Sequence, residues 1–132
     1  MGWLTNIDYV DRTDNVAARE ALGPALESLR SGTSLVIAPE GTRSPTPRLL
    51  PFKKGAFHLA MQARVPMIPV VIRNASEIMP AHSMILTPGT VQVRVLPPVP
   101  TDDWTADNLD EQVALVEEMY AETFDEWDGA TD

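Results

Sequence analysis

The sequence predicts an α/β fold, a mixed sheet flanked by helices, and three segments carry that prediction. Ser34 to Ala38 is a short apolar run bounded by turn residues, the pattern of a strand buried on both faces. Thr90 to Leu96 sets Val91, Val93 and Val95 against Gln92 and Arg94, the alternation of a half-buried strand with one face covered by the core. Leu109, Val113, Val116, Tyr120, Phe124 and Trp127 recur at steps of three and four, one apolar stripe on a helix whose other face is almost wholly acidic.

The other elements can be taken in chain order. Ile7 to Val10 reads as a short strand, and Asp14 as an N-cap whose carboxylate accepts from the amides of the following turn. Ala18, Leu22, Ala25, Leu26 and Leu29 then form an apolar stripe. Gly23-Pro24 removes an amide donor inside it, which predicts two helical pieces or one bent helix, ended by Ser31-Gly32. Pro39 to Phe52 holds four prolines and no periodicity, so a long exposed loop is predicted, a kind of segment that usually carries function in a compact domain. Gly55 to Ala63 places Phe57, Ala60 and Met61 on one helical face. Met67 to Ile72 reads as a strand whose Pro66 and Pro69 suit its start or a sheet edge, and Asn74 to Ser83 as a candidate short helix. Pro97, Pro98 and Pro100 end the alternating strand. Residues 1–100 are expected to form one body, with 101–132 as the acidic helix packed on it.

With 132 residues, 44% of them hydrophobic, the chain is long enough for one compact domain with a single core. Its longest apolar run, Val65 to Ile72, contains two prolines and falls well short of the roughly 18 to 20 residues a membrane-spanning helix needs. Met1 to Asp8 shows no secretory signal, so a cytoplasmic location is expected, with at most peripheral contact at the inner face of the plasma membrane. The absence of cysteine excludes disulfides, thiolate metal sites and cysteine catalysis. Two isolated histidines argue against a His-based metal site, so no cofactor is expected. No nucleic-acid partner is expected either.

The net charge of −9 divides unevenly: the last 32 residues carry 12 acids and no base, while the first 100 carry 10 bases and 7 acids. Arg43, Arg48, Lys53 and Lys54 lie in a 12-residue stretch without a carboxylate, which is either a field that attracts an anionic ligand or a solvated basic loop. Eight arginines against two lysines point to a GC-rich bacterial genome.

The most informative stretch is Ser34 to Ile72, SLVIAPEGTRSPTPRLLPFKKGAFHLAMQARVPMIPVVI, in which the apolar run delivers Glu40, Gly41, Thr42 and Arg43 into the loop. These residue types suit an anion: Gly41 permits close backbone approach, Thr42 supplies a hydroxyl and an amide, and Arg43 offers a planar fork that matches phosphate. Glu40, at the end of a buried strand, is expected to pair with an arginine. A surface turn with a structural ion pair accounts for the same residues equally well.

PEGTRS, then FKKGAF, then VPMIPVVI resemble the third and fourth motif blocks of the glycerolipid O-acyltransferases of the 1-acylglycerol-3-phosphate acyltransferase type, in their usual order. Ile7-Asp8-Tyr9-Val10-Asp11-Arg12 resembles the second block, a hydrophobic strand ending in an aspartate-arginine pair, so the resemblance spans Gly2 to Ala75. It implies an incomplete acyltransferase-like domain. The implied reaction, in phospholipid biosynthesis, moves an acyl group from acyl-CoA or acyl carrier protein to a hydroxyl of a glycerol phosphate or lysophospholipid. The resemblance further implies that Thr42 and Arg43, with Arg12, hold the acceptor phosphate, and that Lys53 and Lys54 are weaker candidates for the same task. Glu40 and Gly41 belong to the same site.

The family's first block, a histidine followed five positions later by an aspartate, has no counterpart here. His58 is followed at that distance by Ala63, and the residues after His82 supply no such aspartate. In the family that histidine is the general base on the acceptor hydroxyl and the aspartate orients its ring. The chain is therefore expected to be an N-terminally truncated form of the enzyme. The alternatives are a non-catalytic phospholipid- or partner-binding remnant that keeps the loop, and an enzyme that uses His58 in another chemistry.

Overall fold

The computed structural model describes residues 15–46 and 48–129, so the expected strand Ile7 to Val10, the Asp14 cap and Arg12 lie outside the described residues. The chain divides into two compact units, Met1–Val36 and Ile37–Asp132. In the first, α1 spans Asn15–Arg30 as one helix with Pro24 inside it, rather than two pieces. Leu22, Ala25, Leu26 and Leu29 are half-buried while Gly23 and Pro24 are exposed, so the missing amide falls on a face where water can serve the carbonyl left over. The helix closes in a Schellman turn, with Gly32 at φ 96°, Thr33 N–H donating to the Ser28 carbonyl at 3.0 Å and Gly32 N–H to that of Leu29 at 3.1 Å.

The run that follows departs from expectation. Ser34 to Ala38 is not a strand, and Val36 is fully exposed at 102%. Apolar sequence becomes a central strand only when neighbours cover both its edges and both its faces, and no strand among the described residues pairs with it.

The second unit carries the core. Phe52, Ala56, Phe57, Ala60, Trp104, Leu109, Val113 and Val116 form one buried cluster. α2 (Gly55–Ala63) contributes its apolar face and ends at Arg64 in the left-handed region, φ 54°. The amphipathic helix, α4 (Leu109–Gly129), supplies Leu109, Val113 and Val116. Trp104, which no periodicity singled out, is 7% exposed and stacks on Phe57 with ring centroids 5.9 Å apart. A short helix, α3 (Ala75–Ile78), falls within the ambiguous 74–83 segment.

The sheet among the described residues is an antiparallel pair, β1 (Val70–Ile72) and β2 (Val93–Val95), with Val70 opposite Val95 and Ile72 opposite Val93. Beyond it, Met67 and Val99 exchange both backbone hydrogen bonds, and Pro69, which has no N–H, separates that bridge from β1. The valine face of β2 is the reverse of the expected one: Val91, Val93 and Val95 are 48%, 51% and 65% exposed while Arg94 is half-buried. The reason lies in α4, where the Glu126 carboxylate accepts from Arg94 Nη1 at 2.8 Å and the Trp127 ring lies 4.6 Å below the guanidinium. Val71, on the same side as Arg94, is completely buried.

Candidate functional site

Residues 39–54 form a loop closed at its neck. Lys53 N–H donates to the Pro39 carbonyl at 2.8 Å, and Leu50 N–H donates to Glu40 Oε2, also at 2.8 Å. Contrary to the expectation from the sequence, Glu40 pairs with none of the arginines among the described residues. Its carboxylate fixes the backbone across ten positions instead, because a backbone amide reaches this half-buried oxygen and none of the described arginines does. Inside the neck, Gly41 N–H donates to the Ala38 carbonyl at 3.1 Å, and Gly41 takes φ 73°. A Cβ at Gly41 would lie 3.0 Å from both Cδ and Cε of Lys53, so the lysine stem runs directly over this glycine. The close approach expected at Gly41 is made by the protein's own side chain.

Thr42 and Arg43 follow on the exposed rim. Arg43 Nη1 donates to the Pro80 carbonyl at 3.4 Å, a long contact that directs the guanidinium without using its other donors. Ser44 Oγ donates to the Arg48 carbonyl at 2.6 Å and holds the loop's outer turn. Arg48 and Lys53 are exposed and form no ion pair among the described residues. Lys54 differs from its neighbours, since its Nζ lies 2.5 Å from Asp110 Oδ1 on α4. Both side chains are largely exposed, so this pair contributes no more than about 1 kcal/mol, but it removes Lys54 from the cationic rim. The structure thus brings Glu40, Gly41, Thr42, Arg43 and Lys53 together and turns Lys54 toward α4, while Arg12 lies outside the described residues.

Glu117 was not foreseen. Its Oε1 accepts the Phe52 N–H at 2.6 Å from α4, 65 positions along the chain. Nothing local in an acidic helix marks one carboxylate among many, and only its place one position after Val116, at the border of the apolar stripe, hinted at partial burial. A groove of about 290 Å³ lined by Leu49, Leu50, Pro51, Phe52, Glu117 and Ala121 lies between loop and helix, and neither Gly41 nor Arg43 lines it. Tyr120, half-buried next to it, donates its hydroxyl to the Val70 carbonyl at 3.3 Å. Burial raises its pKa above 10.0, and the Glu40 charge adds to the rise.

His58 is half-buried on α2 and His82 is exposed. Among the described residues no group of three His, Asp or Glu side chains could hold a metal ion, and no helix is long and apolar enough to cross a membrane.

Residues 1–73 match a family model described as Acyltransferase. The chain is 35% identical over 120 residues to a 1-acyl-sn-glycerol-3-phosphate acyltransferase of Cocos nucifera, covering 90% of this chain and 39% of that protein. It is 39% identical over 108 residues to the human 1-acyl-sn-glycerol-3-phosphate acyltransferase alpha, covering 81% of this chain and 38% of that one. Its structure resembles the crystal structure of the 1-acyl-sn-glycerophosphate (LPA) acyltransferase of Thermotoga maritima, with a TM-score of 0.73 and 32% identity over 82% of this chain and 44% of that chain. The chain thus spans less than half the length of the relatives it matches.

Proposed function

Because the chain belongs to the acyltransferase family, we propose that it carries the phosphate-binding part of an enzyme that transfers an acyl group to the free hydroxyl of lysophosphatidate. The observation that supports this reading is the closed loop, in which Glu40 pins the backbone so that Thr42, Arg43 and Lys53 share one exposed rim. A phosphate monoester carries about 1.5 to 2 negative charges at neutral pH and offers three acceptor oxygens. Arg43 can meet two of those oxygens with its fork, and Lys53 adds a point charge held in place over Gly41. Thr42 contributes a backbone N–H and a hydroxyl at the loop's turn, and Gly41, whose own N–H is taken by the Ala38 carbonyl, lets the backbone adopt that turn. Arg12 is assigned to the same phosphate on the strength of the sequence motif. Lys54 is assigned there only when Asp110 releases it.

Anchoring the phosphate presents the acceptor hydroxyl to a histidine base of the family's first block. The hydroxyl oxygen attacks the thioester carbonyl as its proton passes to the histidine, and collapse of the adduct breaks the carbon–sulfur bond, the departing thiolate taking that proton. Acyl-CoA and acyl carrier protein serve equally as donor in this scheme. Lysophosphatidate is a membrane lipid, which favours peripheral contact with a bilayer.

The test is acyl transfer from labelled acyl-CoA to 1-acylglycerol 3-phosphate, with this chain and with a form extended upstream to an in-frame histidine-aspartate motif. Transfer by the extended form, lost by tenfold or more in Arg43→Ala, is the expected result. Undiminished transfer in Arg43→Ala would remove the phosphate assignment. Neither His58 nor His82 has an aspartate five positions on, which favours, as second reading, a phospholipid-binding protein without catalysis. That reading requires lysophosphatidate binding with no transfer in either form.

A further inference from the structure

Beyond the loop that holds Arg43, the second unit exposes a second kind of surface. Met84, Ile85 and Leu86 are consecutive and 96%, 75% and 64% exposed, and Met79 is 41% exposed. A strand or helix lying on a core alternates buried and exposed positions, whereas three successive exposed apolar side chains project from the tip of a loop. The tip stands on a fixed base: Thr87 N–H donates to the Ile78 carbonyl at 2.8 Å, Ser83 N–H to that of Pro80 at 3.1 Å, and Ile85 N–H to Ser83 Oγ at 3.0 Å. Its root is tied to the anion loop, since the Pro80 carbonyl accepts from Arg43 Nη1.

We propose that the 79–86 loop is a lipid-surface contact, which dips Met84, Ile85 and Leu86 among acyl chains while Arg43 and its neighbours meet anionic head groups. Charge singles out this occupant. Between residues 34 and 100 the chain has seven bases and two acids, and although Lys54 and Arg94 are paired with Asp110 and Glu126 of α4, the bases of the 39–54 loop other than Lys54 form no ion pair among the described residues. Arg43, Arg48 and Lys53 are all exposed on the adjoining loop. A projecting apolar tip rimmed by cations suits the boundary between head groups and acyl chains of an anionic bilayer. The proposal rests on the lysophosphatidate reading, because such a substrate presents its phosphate at the depth where Arg43 is held and keeps its chain in the bilayer, so it need not leave the membrane to reach the loop.

The chain has no cysteine, so Ile85→Cys carries a single thiol for an environment-sensitive fluorophore. Added to vesicles of phosphatidylcholine containing a minor fraction of phosphatidylglycerol, the labelled chain is expected to shift its emission to the blue. The same label at Val93→Cys, on the exposed sheet face, is expected not to respond. Met84→Ser combined with Leu86→Ser, with circular dichroism unchanged, is expected to lower vesicle partitioning about tenfold or more. No shift at position 85, or an equal shift at position 93, would overturn the proposal. A shift without lipid that grows with protein concentration would also overturn it and assign the tip to a second copy of the chain. Titration of the same labelled sample with a soluble short-chain lysophosphatidate separates the two readings: saturable binding without a vesicle response removes only the lipid contact, whereas its absence removes the substrate assignment.

Discussion

Glu117 on α4 accepts the backbone N–H of Phe52 at 2.6 Å, so the acidic helix holds the trailing end of the cationic loop by a hydrogen bond rather than by charge alone. Lys54 and Asp110 make a second link between the same two elements. Phe52 itself is 7% exposed and packs edge-on against Tyr120, ring centroids 5.0 Å apart, which places this join at the margin of the core.

Replacing Glu117 by Ala leaves the Phe52 amide without its acceptor and is expected to destabilise the chain by about 1 to 2 kcal/mol, less than for a fully buried group because Glu117 is half-buried. Glu117→Gln keeps an acceptor oxygen and should lose less than half as much. Thermal unfolding of the two variants checks this, and equal losses would mean that the charge matters more than the hydrogen bond.

Gly41→Ala tests the loop's turn. Alanine at φ 73° carries about 1 kcal/mol of backbone strain, and its Cβ would meet the Lys53 stem at 3.0 Å. Lysophosphatidate affinity should fall several-fold as the lysine swings away from the rim, while the strain lowers the thermal midpoint by only about 3 to 6 °C because the core is untouched. An unaltered dissociation constant by calorimetry would show that Lys53 takes no part in binding.

Arg64→Gly is expected to stabilise. Arg64 closes α2 in the left-handed region at φ 54°, where its N–H serves the Ala60 and Met61 carbonyls, and glycine takes that conformation without side-chain strain. Part of the gain is offset by the greater freedom of glycine in the unfolded chain, so a rise of a few tenths to about 1 kcal/mol in denaturant unfolding is expected. A fall would mean that the Arg64 side chain contributes packing of its own.

Tyr120 links the core to pH. Its pKa is raised chiefly by burial, so the folded state keeps the phenolic proton after the unfolded chain has released it near 10.0. Its contribution to stability is complete below that value and is lost as pH rises through the folded-state pKa. In a Tyr9→Phe background, absorbance titration should place the Tyr120 midpoint above 10.0, and Tyr120→Phe should flatten the alkaline fall in stability. A midpoint at or below the ordinary phenol value would contradict the observed burial.

Sequence alone determined the elements whose signal is local and the motif whose chemistry is carried by residue type. Gly55–Ala63 and the helix from Leu109 were legible from helical spacing, and Glu40 to Arg43 from a turn glycine beside a hydroxyl and a guanidinium. Tertiary structure decided which side of each element is covered and what each charge meets. The alternation of β2 was visible, yet its valines face out, because Arg94 lies against Glu126 and Trp127 of a helix about thirty positions away. Ser34 to Ala38 read as a buried strand, yet burial is conferred by neighbours, and none of the described strands adjoins it. Glu40 binds an amide, Lys54 an aspartate, and Glu117 a backbone group 65 positions distant. Periodicity reports that a face is apolar, but the partner that covers it is set by packing between segments far apart in the chain, which no local pattern contains.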